Sequence, residues 1–260
     1  MPQHIKTAAL AGSFVINDPF WWSADDKFFG YTLAAKLGVQ VPRTVLLPQH
    51  SYQPGIDPPR SLRNLEYPLD WEGIVDYIKF PAILKPAEGG GWKNVSLVHN
   101  LNELWNAYNE SGTLAMTLQQ YIDFDEYVRC LCIGKEFILP IKYDPRRRCY
   151  VDVDGFLPKD LEKKILDGAW ALNNALGYDM NSVEFAIHDG VPYAIDFTNP
   201  APDFDVNSIL PKFFKIAVDQ MANLAVKAVK EGRKNNLGYS FRRFLDKPIP
   251  RPLSPPKPII

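Results

Sequence analysis

The sequence predicts an α+β fold, in which helices and antiparallel strands alternate without a fixed order. Neighbouring strand-like runs are joined by short turns, as at Gly134-Lys135 and at 188–190, which makes them antiparallel hairpins. The runs do not follow the repeated strand, helix, strand order of a parallel sheet. With 260 residues, 46% hydrophobic and 23% charged, the chain can bury a large core and has the composition of an ordinary globular protein.

The first half of the chain mixes helical and strand patterns. Apolar residues at helical spacing predict a helix over 24–37, with Ser23 as its cap and Gly38 after its end. The elements that follow are a strand over 44–47, a helix over 70–78, strands over 81–85 and 95–98, and a helix from 100 to about 108. Residues 48–68, rich in proline and glycine, form a connection of a length that is usually functional or mobile.

The second half contains longer strands and two long helices. Strands are predicted over 115–121, 126–133 and 136–143, helices over 159–176 and 208–231, and a hairpin lies between the two helices. The tail from Lys247 is too dense in proline for a packed element. It is expected to be an extended or disordered terminus, with a proline-rich partner motif as the alternative.

The hairpin over 183–199 carries two carboxylates on one face. Apart from Asp189 in the loop, its odd positions from Val183 to Phe197 are apolar, whereas Glu184 and Asp196 fall on even positions. A three-residue loop over 188–190 keeps even residues opposite even ones, so we predict that loop. With Asn199 these acids offer only hard oxygen ligands, which suit Mg²⁺ or Mn²⁺ better than zinc. The alternative is a half-buried hairpin with a polar face towards solvent.

A phosphate-binding loop is predicted after the strand over 81–85. Lys85 ends this apolar strand and precedes Gly89-Gly90-Gly91, which is what a flexible flap with inward-turned N-H groups requires. The run is not a Walker A loop, because no Gly-Lys-Ser/Thr follows at a helix start. Downstream, the strand exit at 119–122 can offer main-chain groups to a purine, and Glu126 follows it.

Composition excludes several other classes of function. The chain has 29 basic and 30 acidic residues, which gives no broad surface for nucleic acid or an anionic membrane. No apolar run has the length of a membrane span, and the first residues lack a signal peptide pattern. We therefore expect a cytoplasmic protein. Three cysteines argue against a disulfide framework.

The order of these features resembles the ATP-grasp superfamily of carboxylate-amine and carboxylate-thiol ligases. Asp26-Lys27-Phe28-Phe29 with 33–42 is similar to the helix of its first phosphate lysine. The segment 80–86 with the glycine run is similar to its second lysine strand and phosphate loop. The resemblance extends from Asn17 to about Asp205. It implies two α+β subdomains with antiparallel sheets that clasp a nucleotide.

The resemblance also implies a role for each candidate residue. The residues implied to bind ATP are Lys27, Lys85, Gly89, Gly90 and Gly91 at the phosphates, Gln119, Gln120, Tyr121 and Ile122 at the adenine, and Glu126 at the ribose. The implied magnesium ligands are Glu184, Asp196 and Asn199.

Two departures from the family pattern are visible. The family usually places the asparagine two residues after the second acid, whereas Asn199 comes three after Asp196. Either the strand end bulges to bring Asn199 in, or Thr198 or a backbone carbonyl substitutes. In addition, only 26 residues precede Lys27, so we expect this chain to contain no more than a remnant of the usual N-terminal domain. We therefore divide the chain into a remnant over 1–23, a first ATP-grasp part over 24–114, a C-terminal subdomain over 115–240 and a proline-rich tail over 241–260.

The function implied is that of an ATP-dependent ligase, which activates a small carboxylate as an acyl phosphate for capture by an amine or thiol. Arg129 and Lys142 are the candidate catalytic residues, because either can bind the transferred phosphate or the substrate carboxylate. The alternatives are a small-molecule kinase and a catalytically silent ATP-binding module. The incomplete N-terminal face is a place for a second copy or another partner chain.

Overall fold

The computed structural model describes residues 2–19, 26–57, 60, 62, 65–66, 68–89 and 93–235. The chain divides into two compact units. We call the one formed by Asp26–Tyr31 and Pro42–Ile122 the lysine unit, because it contains both candidate phosphate lysines. We call the one formed by Met1–Asp25, Thr32–Val41 and Asp123–Ile260 the acid unit, because it contains both candidate metal-binding acids.

Helices and strands alternate irregularly, and the α+β prediction is confirmed. The helices are α1 (Pro2–Leu10), α2 (Lys27–Lys36), α3 (Trp71–Ile78), α4 (Leu101–Glu110), α5 (Lys159–Leu176) and α6 (Pro211–Lys230). The strands are β1 (Thr44–Leu47), β2 (Ala82–Pro86), β3 (Ser96–Val98), β4 (Met116–Gln120), β5 (Glu126–Ile133), β6 (Phe137–Asp144), β7 (Cys149–Val151), β8 (Met180–His188) and β9 (Val191–Asp196). None of the helices in the described ranges combines the length and apolar character that crossing a bilayer requires.

Three differences from the sequence patterns concern helix starts and short elements. Helix α2 begins at Lys27 rather than at residue 24, and its cap is Asp26, whose Oδ1 accepts hydrogen bonds from the Phe28 and Phe29 amides at 2.9 and 3.2 Å. The predicted cap, Ser23, lies outside the described residues. Helix α1 and strand β7 are absent from the sequence prediction, since α1 has no acidic first turn and β7 has only three residues.

The lysine unit is an antiparallel sheet in the order β1-β4-β2-β3, covered by α3 and α4. Asn100 and Glu103 cap the start of α4. The Glu103 amide donates to Asn100 Oδ1 at 3.0 Å, and Asn100 Nδ2 donates to Glu103 Oε1 at 2.7 Å. Apolar side chains from both helices and the sheet, among them Leu84, Leu104 and Leu118, are buried together. Strand β4 lies inside the sheet, because it pairs with β1 on one side and with β2 on the other.

The acid unit is an antiparallel sheet in the order β7-β6-β5-β8-β9. Helix α5 packs on the face that carries Phe185. Gly168 in α5 allows this close approach, because a Cβ there would lie 3.3 Å from the Phe185 ring. Since side chains alternate along a strand, Glu184 lies on the opposite face of β8.

The hairpin of β8 and β9 has a two-residue loop, so the prediction of a three-residue loop is wrong. His188 pairs with Val191, and Asp189 and Gly190 between them have φ of 48° and 71°. Positive φ at both positions is typical of a type I′ turn. A register shift next to Glu184, where Phe185 pairs with Ala194, inserts Ile195 as a bulge and brings Asp196 opposite Glu184. The two acids therefore share a face, as predicted, through a bulge instead of a longer loop.

Candidate active site

Two lysines are buried in the lysine unit. Lys27 and Lys85 have relative exposures of 9% and 7%. The Lys85 ammonium donates to the Tyr31 hydroxyl at 2.7 Å and to Gln119 Oε1 at 2.9 Å. The Lys27 ammonium donates to the carbonyl oxygen of Gly89. Strand β2 places Lys85, and the first turn of α2 places Lys27.

The two ammonium groups face the same region of the lysine unit. Lys27 and Tyr31 are four residues apart in α2 and so lie on one face of the helix, and Lys85 reaches that face through Tyr31. Across the described part of the chain, neither lysine forms an ion pair with a carboxylate. A buried cation held only by neutral acceptors is costly unless an anion joins it. The pair therefore has the chemistry of an anion site.

The beginning of the glycine run contacts α2. The Lys27 amide donates to the Ala87 carbonyl at 3.0 Å, and Gly89 adopts φ of 83°, a conformation that favours glycine. Gly90 and Gly91 lie outside the described residues. The structure therefore describes the start of the loop, which lies beside Lys27.

The segment implied to contact adenine has few main-chain donors left. The Gln120 amide donates to Arg43 O at 2.8 Å, and the Tyr121 amide donates to Pro81 O at 3.3 Å. The Gln119 side chain is used as well, since Nε2 donates to Thr44 Oγ1 at 2.9 Å while Oε1 accepts from Lys85. Of the amide N-H groups from 120 to 122, that of Ile122 is the one for which the described residues provide no acceptor.

On the sheet of the acid unit, Glu184 is at the centre of a buried network. The Arg129 guanidinium lies opposite it on β5 and donates through Nε to Oε1 at 2.7 Å and through Nη2 to the same oxygen. The Tyr127 hydroxyl donates to Oε2. Arg129 also stacks on the Tyr143 ring, with its Cζ atom 4.5 Å from the ring centroid.

Burial and neighbouring charges both shift the pKa values of Glu184 and Tyr127. Burial raises the pKa of Glu184; the Arg129 guanidinium opposes this rise, and the nearby Asp196 adds to it. Burial and the negative charge of Glu184 raise the pKa of Tyr127 well above its usual value, so the phenol keeps its proton and donates. Glu184 is therefore paired with one guanidinium, and the Asp196 carboxylate adds a second negative charge nearby.

The Asp196 carboxylate forms no hydrogen bond and no ion pair with any described residue. It lies opposite Glu184 in the register of β8 and β9. This is a second acid beside a buried one, without a cation of its own.

Asn199 lies on the same face as the two acids. Its Nδ2 donates to the Ser182 hydroxyl at 3.1 Å, and Ser182 precedes Glu184 by two residues on β8. Since the amide nitrogen points to Ser182, the carbonyl oxygen of the same amide points away from it. Thr198, the alternative to Asn199, is buried with 5% exposure.

Glu126 and Lys142 are brought together, but on the other face of the sheet. Lys142 Nζ lies 2.8 Å from Glu126 Oε2, and both side chains are about one-third exposed. Lys142 pairs with Val128, whereas Arg129 pairs with Ile141, so the two cations project to opposite faces. The register therefore separates the two candidate catalytic cations. Their roles as catalytic residues and that of Glu126 as the ribose ligand stay predictions.

Comparison with solved structures identifies the fold. A D-alanine–D-alanine ligase from Bacillus anthracis, complexed with ATP, superimposes with a TM-score of 0.61 at 19% identity over 87% of this chain and 75% of the other. The ATP-grasp ligase PsnB, complexed with a precursor peptide and AMPPNP, gives a TM-score of 0.54 at 14% identity over 83% and 63% of the two chains. The chain has the ATP-grasp fold. No model of a known protein family matches the chain.

The curated sequence relatives match a smaller part of the chain than the solved structures do. D-Alanine–D-alanine ligase A of Bacillus cereus is 26% identical over 155 residues, which are 53% of this chain and 50% of that protein. The D-alanine–D-alanine ligase of Ralstonia nicotianae is 24% identical over 163 residues, or 55% and 49% of the two. The chain thus spans about half the length of these curated relatives.

Several residues that build the candidate site carry no recognisable signal in the sequence. Tyr31 and Tyr127, which hold Lys85 and Glu184, read as core aromatics. Ser182 and Asn181 fall at the start of β8, before the alternating pattern begins. Their contacts depend on strand register and on the fold, which the spacing of residues alone does not give.

Proposed function

We propose that this chain is the nucleotide-binding part of an ATP-dependent ligase, which activates a carboxylate for capture by an amine or a thiol. The observation that carries the proposal is the pair of buried lysines without a carboxylate partner, Lys27 and Lys85, within an ATP-grasp fold. Their charges suit the phosphates of ATP, and the net charge of −1 leaves such local groups to hold the anion.

The face of the sheet that carries Glu184 and Asp196, which we call the acid face, fits a divalent cation. Glu184, Asp196 and Asn199 present carboxylate and amide oxygens, the donors that Mg²⁺ and Mn²⁺ prefer. Arg129 and Tyr127 occupy three acceptor positions of Glu184, so a lone pair of its carboxylate remains for a metal. Asp196 has no cation of its own among the described residues. When bound, the metal supplies neutralisation of the phosphate charge.

The reaction needs positioning and charge stabilisation more than acid-base chemistry. An oxygen of the substrate carboxylate attacks the γ-phosphorus of ATP, ADP departs, and an acyl phosphate forms. The amine or thiol then attacks the acyl carbon, phosphate departs, and the nucleophile loses its proton. Lys27 and Lys85 bind the phosphates, while Arg129 orients Glu184 and opposes the rise in its pKa. Lys142 remains a candidate for the transferred phosphate or the substrate carboxylate.

The substrates that this proposal favours are small. Relatives of the chain are named for the joining of two D-alanines, and a solved neighbour is bound to a peptide. A free amino acid and a short peptide are therefore the first acids and amines to test. A cytoplasmic location and a partner chain or second copy at the N-terminal face stay predictions.

The decisive measurement is ADP release in the presence of a panel of carboxylic acids, with hydroxylamine added to trap an acyl phosphate as its hydroxamate. A ligase releases ADP and phosphate only with its acid, and forms the hydroxamate. Phosphorylation of an alcohol without hydroxamate would instead show a kinase. Binding of Mg-ATP without turnover on any acid or alcohol would show a silent module.

Paired variants test the metal-binding acids. Asp196→Asn is expected to lower the metal-dependent turnover by about 100-fold, the scale on which loss of one transition-state contact acts. Asp189→Asn is the matched control, because Asp189 lies in the exposed turn at the far end of the same hairpin. Equal activity of the two variants would contradict the assignment of Asp196.

A further inference from the structure

The chain beyond β9 is held in place by the side chain of Asn181. Asn181 is fully buried, and its amide bridges two points of the exit from the strand. Its Nδ2 donates to Phe197 O at 2.9 Å, and its Oδ1 accepts from the Asn199 backbone amide at 3.1 Å. Both hydrogen-bonding ends of one side chain therefore fix the residues on either side of Thr198.

A second buried amide holds the next residue. Asn17, with 2% exposure, donates through Nδ2 to Pro200 O at 2.8 Å and to Met180 O at 2.6 Å. Its Oδ1 accepts from the Asp179 and Met180 amides at 2.7 and 2.8 Å. Asn17 thus ties Pro200 to the first residues of β8.

Asn199 lies between these two fixed points. Asp196 is placed by the ladder of β8 and β9, but Asn199 is three residues past the end of β9 and has no strand partner. Its backbone amide is held by Asn181, and its side chain amide is held by Ser182. Since Ser182 lies on the face of Glu184, these contacts fix the side chain of Asn199 on the acid face.

We propose that Asn181, supported by Asn17, is a positioning residue for the metal site, which places the carbonyl oxygen of Asn199 for a divalent cation. This inference rests on the proposed function. It accounts for the spacing of three residues between Asp196 and Asn199, because a longer connection needs an additional anchor to hold its last residue. Partners that orient metal ligands typically change metal affinity by 10- to 100-fold when they are removed.

The experiment compares Asn181→Ala with Asn173→Ala. Asn173 is an equally buried asparagine of the same unit, but its Nδ2 donates to Tyr178 O, away from the exit of β9. Mn²⁺ binding is measured by electron paramagnetic resonance with a non-hydrolysable ATP analogue, and the affinity for the analogue without metal is measured by calorimetry. Thermal unfolding reports the stability of each variant.

We expect Asn181→Ala to weaken Mn²⁺ binding by about 10-fold or more while leaving the metal-free affinity for the analogue unchanged. Asn173→Ala is expected to lose stability without a change in Mn²⁺ affinity. Asn181→Ser, whose hydroxyl can restore one of the two contacts, should lie between Asn181→Ala and wild type. If Asn181→Ala does not fold, Asn181→Ser and Asn17→Ala are measured in its place and must show the same metal-specific loss.

Three outcomes overturn the inference, and they are distinguishable. Wild-type protein that binds no Mn²⁺ with the analogue contradicts the proposed function and this inference with it. Wild-type binding that survives in the Asn181 and Asn17 variants contradicts the positioning role alone. Equal weakening of Mn²⁺ binding in Asn173→Ala would also contradict it, since the loss would then follow from stability.

Discussion

Lys85 is a buried cation of the lysine unit, and it forms no ion pair with a carboxylate of the described residues. Replacing a buried ion by an apolar side chain of similar shape is often neutral or stabilising, provided that no opposite charge is left behind. Lys85→Met leaves only the neutral acceptors of Tyr31 and Gln119 unsatisfied. We therefore expect a change in the free energy of unfolding within about 1 kcal/mol, measured with urea. The affinity for ATP, measured by calorimetry, is expected to fall by at least about 10-fold.

Lys79→Met is the control for this substitution. Lys79 is exposed in the same unit and pairs with Asp76 on the surface, so its loss should change neither quantity. A large loss of stability in Lys85→Met would show that the lysine has a structural role, and unchanged ATP affinity would remove it from the phosphate site.

Loss of Arg129 would leave the buried carboxylate of Glu184 without its cation. Arg129→Met removes the one guanidinium beside Glu184 and Asp196, and breaking a buried pair in this way costs about 3 kcal/mol. Arg129 opposes the rise in the pKa of Glu184, so in the variant that pKa rises further. An acid with a raised pKa in the folded state loses stability as the pH rises through that pKa. The destabilisation should therefore grow as the pH rises above the usual carboxyl range, measured by urea unfolding over a series of pH values.

Magnesium adds a second measurement on the same variant. If Glu184 and Asp196 hold a divalent cation, Mg²⁺ should raise the melting temperature of Arg129→Met more than that of wild type, because the metal replaces the missing positive charge. The double variant Arg129→Met with Glu184→Gln should lose this response. A response that persists in the double variant would place the metal elsewhere.

At the residue scale, the charged residues of the candidate site are easier to predict from the sequence than the uncharged residues that form hydrogen bonds with them. Glu184 and Asp196 stand out because alternation puts two acids among apolar residues. Asn181 and Tyr31 do not stand out, since a buried asparagine and a buried tyrosine have the same pattern whether they clamp a site or fill a core. Which of the two they do depends on the partner that the fold brings to them.

At the scale of the element, the β8–β9 hairpin shows why register is harder to predict than strand position. The sequence predicts both strands and the shared face of the acids, but two combinations give the same face: a three-residue loop without a bulge, and a two-residue loop with one. The chain uses the second, with the extra residue at Ile195. Asp189-Gly190 is a common sequence for a type I′ turn and favours the shorter loop, whereas no residue type marks a bulge as clearly.

The turn itself provides a test of this geometry. Gly190 has φ of 71°, and no other group lies within 4 Å of where its Cβ would be. Gly190→Ala therefore meets strain in the backbone alone, which costs about 1 kcal/mol. We expect this loss in chemical unfolding, with Mg²⁺ dependence and turnover unchanged, because the turn is at the opposite end of the hairpin from Asp196. Gly155→Ala, at another open position with φ of 65°, is the comparison for backbone strain elsewhere.

At the scale of the whole molecule, both ends of the described chain meet at the start of β8. The Asn235 side chain donates to Ser13 O and accepts from the Val15 amide, the latter at 3.0 Å. Arg233 Nη2 lies 2.7 Å from Asp179 Oδ1, one residue before β8 begins. Sequence patterns place neither contact, since each joins segments more than fifty residues apart. The same strand then carries Asn181, Ser182 and Glu184 into the candidate site.

This arrangement predicts that a residue near the end of the described chain stabilises the acid unit. Arg233→Met leaves the buried carboxylate of Asp179 without its cation, and we expect a loss of about 3 kcal/mol in the free energy of unfolding. Lys234→Met, one residue along, removes the same charge, and because Lys234 has no ion-pair partner among the described residues it should lose less than about 0.5 kcal/mol. Because β8 is anchored at this point, Arg233→Met should also lower the protection of β8 amides in hydrogen exchange. Equal stability of the two variants would show that the ends of the described chain do not support β8, the strand that carries Glu184.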